Sequence, residues 1–320
     1  MFAIYAFGHG GGVPGPVPNT FAADAGNTNF AIIPDLTAQD LLDLGAALGS
    51  PDALALRKPK TNACTQAGPP KGWVEQNLLA KKPYVLIDCG VQTAMLLSGS
   101  MGIPAASQNC KGIFLTHAHD DHSGGIKSLG YRFKYYDKVQ PMLAFPKGLE
   151  PLIWAQTAEM AYHNPTSTER GLEAYYNVWL INEFGADFPV GDNTFWKGMT
   201  LIPFGVDHNC FDAAGRPFPA YGYKLVTPNR TIVFSGDTSE PLPTDLMDQA
   251  DLVVHDVQMY SDGAKGDHVH CPYAWLRDTL PTKEARAKVL LTHMGGTGGG
   301  VDQMVDGFNS LEKGTLLIFP

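Results

Sequence analysis

Phe114-Leu-Thr-His117-Ala-His119-Asp120-Asp121-His122-Ser-Gly-Gly125 is the stretch on which the reading of this sequence turns. An apolar run, Ile113-Phe-Leu, delivers three imidazoles and two carboxylates within six residues and then ends in a glycine turn. A solvated loop has no reason to gather histidines directly after a buried strand. Alternate residues of an extended chain point the same way, so His117 and His119 can share one metal ion, while Asp121 and His122, past the turn, face a second. Neutral imidazole and carboxylate are the donors that a borderline cation such as Zn²⁺ prefers.

Outward from this stretch, the chain alternates strands with helices. Phe2–Phe7 reads as a strand with Asn29-Phe-Ala-Ile-Ile33 as its hairpin partner, separated by the glycine run Gly8-His-Gly-Gly-Gly12, which calls for a tight turn. Thr37-x-x-Asp40 is a capping box, and Leu41, Leu44 and Leu48 follow it at helical spacing. Apolar runs at Tyr84, Gly112, Met142, Thr200, Tyr221, Thr231, Leu252 and Val289 are bounded by turn residues, and several are apolar throughout, as strands covered on both faces must be. Helices are expected at Val91–Gly99, Gly124–Leu129, Leu149–His163, Ser167–Phe184 and Thr282–Lys288. This pattern predicts an α/β fold with two mixed β-sheets sandwiched between helices, an αββα sandwich. Residues 51–83, with Arg57-Lys-Pro-Lys60 and Gly68-Pro-Pro-Lys-Gly72, read as a loop insertion, and residues 149–185 as a helix pair forming a lid or a dimer contact.

Composition narrows the partners. Across 320 residues, 23 Lys and Arg against 32 Asp and Glu give a net charge of −9, so no general positive field would gather a long nucleic acid. No stretch approaches the length of a membrane-spanning apolar helix, and the start of the chain lacks the pattern of an export signal. Five scattered cysteines, Cys64, Cys89, Cys110, Cys210 and Cys271, form no Cys-x-x-Cys pair and are expected to be reduced, buried thiols in a cytoplasmic protein.

His117-x-His119-x-Asp121-His122 resembles the signature of the metallo-β-lactamase superfamily. That resemblance implies further ligands: His208 in Val206-Asp-His208 for the first metal, Asp237 in Ser-Gly-Asp237 bridging both, and His293 in Leu-Thr-His293-Met-Gly for the second. It also implies a metal-dependent hydrolase in which two divalent ions, Zn²⁺ or alternatively Mn²⁺, hold the attacking hydroxide. Asp121 would then serve catalysis as well as the second metal. Asp88, in Ile87-Asp88-Cys-Gly90, is expected to stabilise a turn and not to bind metal. Within the superfamily, Tyr221-Gly-Tyr-Lys-Leu, Val233-Phe-Ser-Gly-Asp-Thr and Leu252-Val-Val-His255-Asp256 are similar to the ribonuclease Z-like phosphodiesterases. There an acidic residue and a histidine form a general-acid pair; Asp256 matches the first, and His268 and His270 both offer the second, with His270 nearer the expected spacing.

The whole chain, residues 1–320, thus reads as a single metallo-β-lactamase-like domain enlarged by the two insertions. The acidic helix pair, holding Glu150, Glu159, Glu169, Glu173 and Glu183, stands where tRNA-processing members carry a basic arm, and it would repel a tRNA. A small phosphodiester such as a cyclic nucleotide is therefore the expected substrate, acted on by a homodimer. A lactone or other carboxylic ester or amide hydrolase on the same site is the alternative, and a non-catalytic ligand-binding member of the fold is a second. A flavin-linked iron enzyme is disfavoured, because those relatives carry Glu where His119 stands.

Overall fold

Strands buried on both faces leave no polar alternation to read, and the core of this protein is built from such strands. The structure, a computed structural model, describes residues 1–7, 29–50, 63–99, 105–160, 171–181, 198–211, 215–258, 269–292, 306–311 and 314–320. The strands are β1 (Phe2–Ala6), β2 (Phe30–Ile33), β3 (Thr65–Ala67), β4 (Tyr84–Ile87), β5 (Cys110–Phe114), β6 (Met142–Pro146), β7 (Asn177–Ile181), β8 (Thr200–Val206), β9 (Ala220–Val226), β10 (Thr231–Phe234), β11 (Leu252–Asp256), β12 (Val289–Thr292), β13 (Asn309–Ser310) and β14 (Leu316–Phe319). They form an eight-stranded sheet, ordered β3-β14-β1-β2-β4-β5-β6-β7, and a six-stranded sheet, ordered β13-β12-β11-β10-β9-β8. Both are mixed: β1 pairs antiparallel with β2, β4 parallel with β5, β9 antiparallel with β10, and β10 parallel with β11.

Side-chain alternation along each strand sorts the core into layers. Ile4, Phe30, Ile32, Val85, Ile87 and Phe114 from the first sheet meet Leu201, Tyr223, Leu225, Ile232, Phe234 and Leu252 from the second. Their neighbours point outward. Ile33, Leu86, Ile113 and Leu143 pack against Leu44, Ala94, Leu97, Ile126 and Leu129 of the covering helices. On the far side, Val233, Val253 and Leu291 pack against Met247, Leu276 and Leu280. The αββα sandwich expected from the sequence is therefore the observed architecture. The Thr37 capping box also forms, with Asp40 N donating to Thr37 Oγ1 and Thr37 N to Asp40 Oδ2.

Two expected elements need correction. The helix read over Ser167–Phe184 is absent from its described part: Gly171–Ala174 is one 3₁₀ turn, and β7 follows, pairing parallel with β6 at the sheet edge. Leu172, Tyr175 and Val178 do fall at helical spacing, but the open edge of β6 captures the β-formers Val178, Trp179 and Ile181. Residues 161–170 lie outside the described residues. The insertion over residues 51–83 is likewise more than a loop in its described part. β3 pairs with β14, Val74, Leu78 and Leu79 are buried, and the Tyr5 hydroxyl donates to the buried Glu75 Oε1 at 2.9 Å. The glycine run at residues 8–12 and the basic stretch at 57–60 lie outside the described residues. No helix among the described residues is long and apolar enough to cross a membrane.

Candidate active site

β5, between β4 and β6, ends at Phe114, and the chain runs on from its C-terminal end into the histidine segment. Thr116, His117 and His122 are buried there, and His119 precedes the single helical turn Asp120–Ser123. Asp88 holds this turn from beneath. Its carboxylate accepts from Thr116 N at 2.8 Å, from Thr116 Oγ1 at 2.7 Å and from His122 Nδ1 at 2.7 Å. Its backbone sits at φ 62°, a left-handed conformation that a short Asp side chain tolerates. Close approach is needed at Gly125 too, since a Cβ there would strike the Cys89 and Gly90 carbonyls. Asp88 thus stabilises the turn, and through it orients His122.

The second sheet supplies the opposing groups. His208 follows β8, Asp237 follows β10, and Asp256 closes β11. Gly236, at φ 62°, lets the chain turn against the Tyr221 carbonyl just before Asp237. His117 Nε2 lies 3.1 Å from His119 Nδ1, which in turn lies 3.2 Å from His208 Nε2. Asp237 Oδ2 is 3.6 Å from His117 Nε2 and 3.9 Å from His208 Nε2. Its Oδ1 is 3.2 Å from His122 Nε2, and Asp121 Oδ2 is 3.4 Å from the same nitrogen. His117, His119, His208 and Asp237 form one group of converging donors, Asp121, His122 and Asp237 a second, and Asp237, Asp256 and His270 a third.

This donor set fits divalent cations. His208 donates Nδ1–H to the Val269 carbonyl at 3.0 Å, which leaves the lone pair of Nε2 facing the other imidazoles. Ligands about 2.0–2.1 Å from a tetrahedral ion stand roughly 3.4 Å apart, close to the spacing of these three nitrogens. Burial lowers all three histidines: His117 well below its ordinary value, His119 less far, and His208 to about 4. They are therefore neutral bases with lone pairs to give. At His122 burial pushes the same way but is overcome by the Asp237, Asp121 and Asp88 carboxylates, so its pKa is raised well above the ordinary value. Its Nε2 faces two carboxylates, a position that calls for positive charge. A proton or a metal ion satisfies it equally.

Beside Asp237 stands a dyad. His270 Nδ1 donates to Asp256 Oδ2 at 2.9 Å and lies 3.8 Å from Asp237 Oδ2. Burial works to lower the His270 pKa, but Asp256, by charge and by hydrogen bond, raises it to about 9. Thr238 N donates to the same Asp256 oxygen at 2.9 Å. Of the two candidate histidines, His270 is thus placed beside Asp256; His268 lies outside the described residues, as does His293. Asn29 was legible only as the start of a strand. Its buried side chain accepts from Gly90 N and Thr93 Oγ1, each at 2.7 Å, and donates to the Asp121 carbonyl at 3.1 Å. No local motif marks it. Gln156 is a similar case, bridging Ser123 Oγ and Asp120 Oδ1 from the helix Glu150–Gln156.

Fold and donor cluster together define a hydrolase of the metallo-β-lactamase superfamily. Residues 71–314 match the family model of anti-Pycsar protein Apyc1, and the chain belongs to that family. The anti-Pycsar protein Apyc1 of Saccharibacillus brassicae is 29% identical over 187 residues, 56% of this chain and 68% of the relative. The metallo-β-lactamase fold protein YhfI from Bacillus subtilis superimposes with a TM-score of 0.59 at 14% identity, covering 99% of each chain. Human tRNase Z, short form, does so with a TM-score of 0.55 at 17% identity, again over 99% of each chain. At such identities the two structures establish the shared fold.

Proposed function

We propose that this protein is a phosphodiesterase acting on a small phosphodiester of the cyclic-nucleotide class, with two divalent cations, Zn²⁺ first and Mn²⁺ second, at the His/Asp cluster. The observation that carries this reading is the His270–Asp256 dyad 3.8 Å from Asp237. An alkoxide leaving phosphorus must be protonated, whereas ring-opening of a lactone needs less help for its leaving group. Membership of a family named for an anti-Pycsar protein supports the same direction.

His117, His119, His208 and Asp237 would hold one cation, and Asp121, His122 and Asp237 the other, with His293 completing it by resemblance. Such a pair supplies Lewis-acid polarisation of the phosphoryl oxygens and hydroxide near neutral pH. The chain's own residues do the rest. Asp88 fixes the His122 proton on Nδ1, so that Nε2 faces the cluster. His270, its Nδ1–H held by Asp256, would give the proton on Nε2 to the departing oxygen as the phosphorus–oxygen bond breaks. The hydroxyl so formed is neutral and, in a cyclic substrate, stays on the sugar, while phosphorus keeps the oxygen that came from water.

Parallel assays test the reading. Metal-loaded protein is expected to hydrolyse bis(p-nitrophenyl) phosphate and cyclic nucleotides and to leave an acyl-homoserine lactone intact; turnover of the lactone alone would overturn the proposal. Fewer than about two divalent ions per chain would favour a non-catalytic binder. The homodimer, the cytoplasmic setting, the single domain and the exclusion of long nucleic acid belong to the same proposal. Light scattering on the purified protein tests the first of these.

A further inference from the structure

Between the end of β8 and the start of β9 lies a cavity of about 510 Å³ that shares His208 with the cluster and is also lined by Asn209, Phe211, Pro217 and Phe218. That size is within the range of small-ligand pockets. The Phe218 ring stacks on the His119 imidazole, with centroids 4.8 Å apart and planes at 20°. Phe218 is partly exposed, and Phe211 on the same cavity is 59% exposed. Both rings stand on a fixed frame: Phe211 bridges to Pro217, and Phe218 N donates to the Cys210 carbonyl at 2.7 Å. At the ends of the segment, Ser239 N donates to the Asp207 carbonyl and Tyr221 N to the Thr116 carbonyl. The cavity is thereby tied to the same two turns that carry Asp237 and His117.

We propose that Phe218, with Phe211, is the stacking platform for the planar base of a nucleoside phosphodiester whose phosphate lies at the cluster. This rests on the phosphodiesterase reading and deepens it. A phenyl face held against a ligand-bearing imidazole sets the distance and tilt of a ring laid on it, and every nucleobase has a π-face that such a platform can hold. The cavity shares His208 with the cluster, so a base seated there lies next to the proposed phosphate site.

The test uses the full-length, metal-loaded enzyme with two substrates: a 3′,5′-cyclic nucleotide, and the same sugar cyclic phosphate without its base. Phe218→Leu keeps apolar bulk beside His119 while removing the aromatic face, and Phe211→Ala replaces no member of the cluster. For each variant the ratio of kcat/KM for the nucleotide to that for the baseless analogue is expected to fall by about 10- to 100-fold, through KM. Metal content equal to wild type serves as the folding control. A wild-type enzyme with the same KM for both substrates overturns the platform, as do variants whose ratio is unchanged. A wild-type enzyme that hydrolyses neither phosphodiester overturns the underlying phosphodiesterase reading, and the platform with it.

Discussion

At His122 the chemistry of the whole site is compressed into one nitrogen. Nδ1 is committed to Asp88, and Nε2 faces Asp121 and Asp237, so the position demands a positive charge that no Lys or Arg supplies among the described residues there. Asp237 has the widest reach, since its two oxygens enter all three donor groups. Asp237→Ala is therefore expected to lose turnover and metal loading together, read by activity and by elemental analysis on one preparation. His270→Ala should separate the two. It removes the proton donor but none of the side chains assigned to the two cations, so metal stays bound while substrates with poor leaving groups slow by roughly 10²–10⁴. The cysteines give a residue-scale check on burial. Cys64, Cys89, Cys110 and Cys271 are buried, but Cys210 is partly exposed, which corrects the expectation that all five thiols are enclosed. Burial raises the Cys210 thiol, with Asp237 adding to the effect, and raises Cys110 to about 12. A higher pKa leaves less thiolate at any given pH. Maleimide labelling of the native enzyme should thus fall on Cys210 alone, run slower than with a free thiol, and accelerate as pH rises; early labelling of Cys110 would contradict the core packing.

Elements show what a sequence can and cannot disclose. β4, β5, β10, β11 and β12 were legible because each carries a short apolar run, Tyr84-Val-Leu-Ile, Ile113-Phe-Leu, Ile232-Val-Phe, Leu252-Val-Val and Val289-Leu-Leu, of the kind a strand covered on both faces presents. The His117-to-His122 spacing was legible for the same reason: the strand states its direction and the turn its reversal. β7 was not, because Leu172, Tyr175 and Val178 satisfy a helical period while belonging to a turn and an edge strand whose partner is supplied by tertiary structure. β3 and β14 went unread because their pairing joins residues near 66 to residues near 317, a contact no local pattern encodes. Asn29 belongs to this class. It ties the start of β2 to the turn after β4 and to the Asp121 carbonyl, three bonds across more than sixty residues of chain. Asn29→Ala would leave Gly90 N buried without that acceptor and loosen the Asp121 turn. A loss of about 1–3 kcal/mol is expected in denaturant unfolding, with activity reduced further than the stability loss alone explains. Unchanged activity in a destabilised variant would show that Asn29 serves packing only.

On the scale of the whole molecule, the cluster sits where two sheets meet at their ends. His117, His119, Asp121 and His122 follow β5 of the eight-stranded sheet, while His208 and Asp237 follow β8 and β10 of the six-stranded sheet. Each proposed cation would therefore bind both sheets at once, and only in the folded state, because the ligands are scattered from residue 117 to residue 237 along the chain. Binding of that kind stabilises the native state by RT ln(1 + [L]/Kd), about 4 kcal/mol at a free concentration of a thousand times Kd. Without cations, the Asp121 and Asp237 carboxylates face each other's charge across His122, whose proton offsets them together with His270 beside Asp237. With two cations, chelation is therefore expected to lower Tm by roughly 10 °C, given the shallow dependence of Tm on free energy in chains of this size, with recovery on adding Zn²⁺ or Mn²⁺. Asp237→Ala should show neither the fall nor the recovery, because it cannot load the ions in the first place. If calorimetry instead found the wild-type transition unmoved by complete removal of metal, the sandwich would be held by its apolar layers alone, and the cluster would contribute chemistry without cohesion.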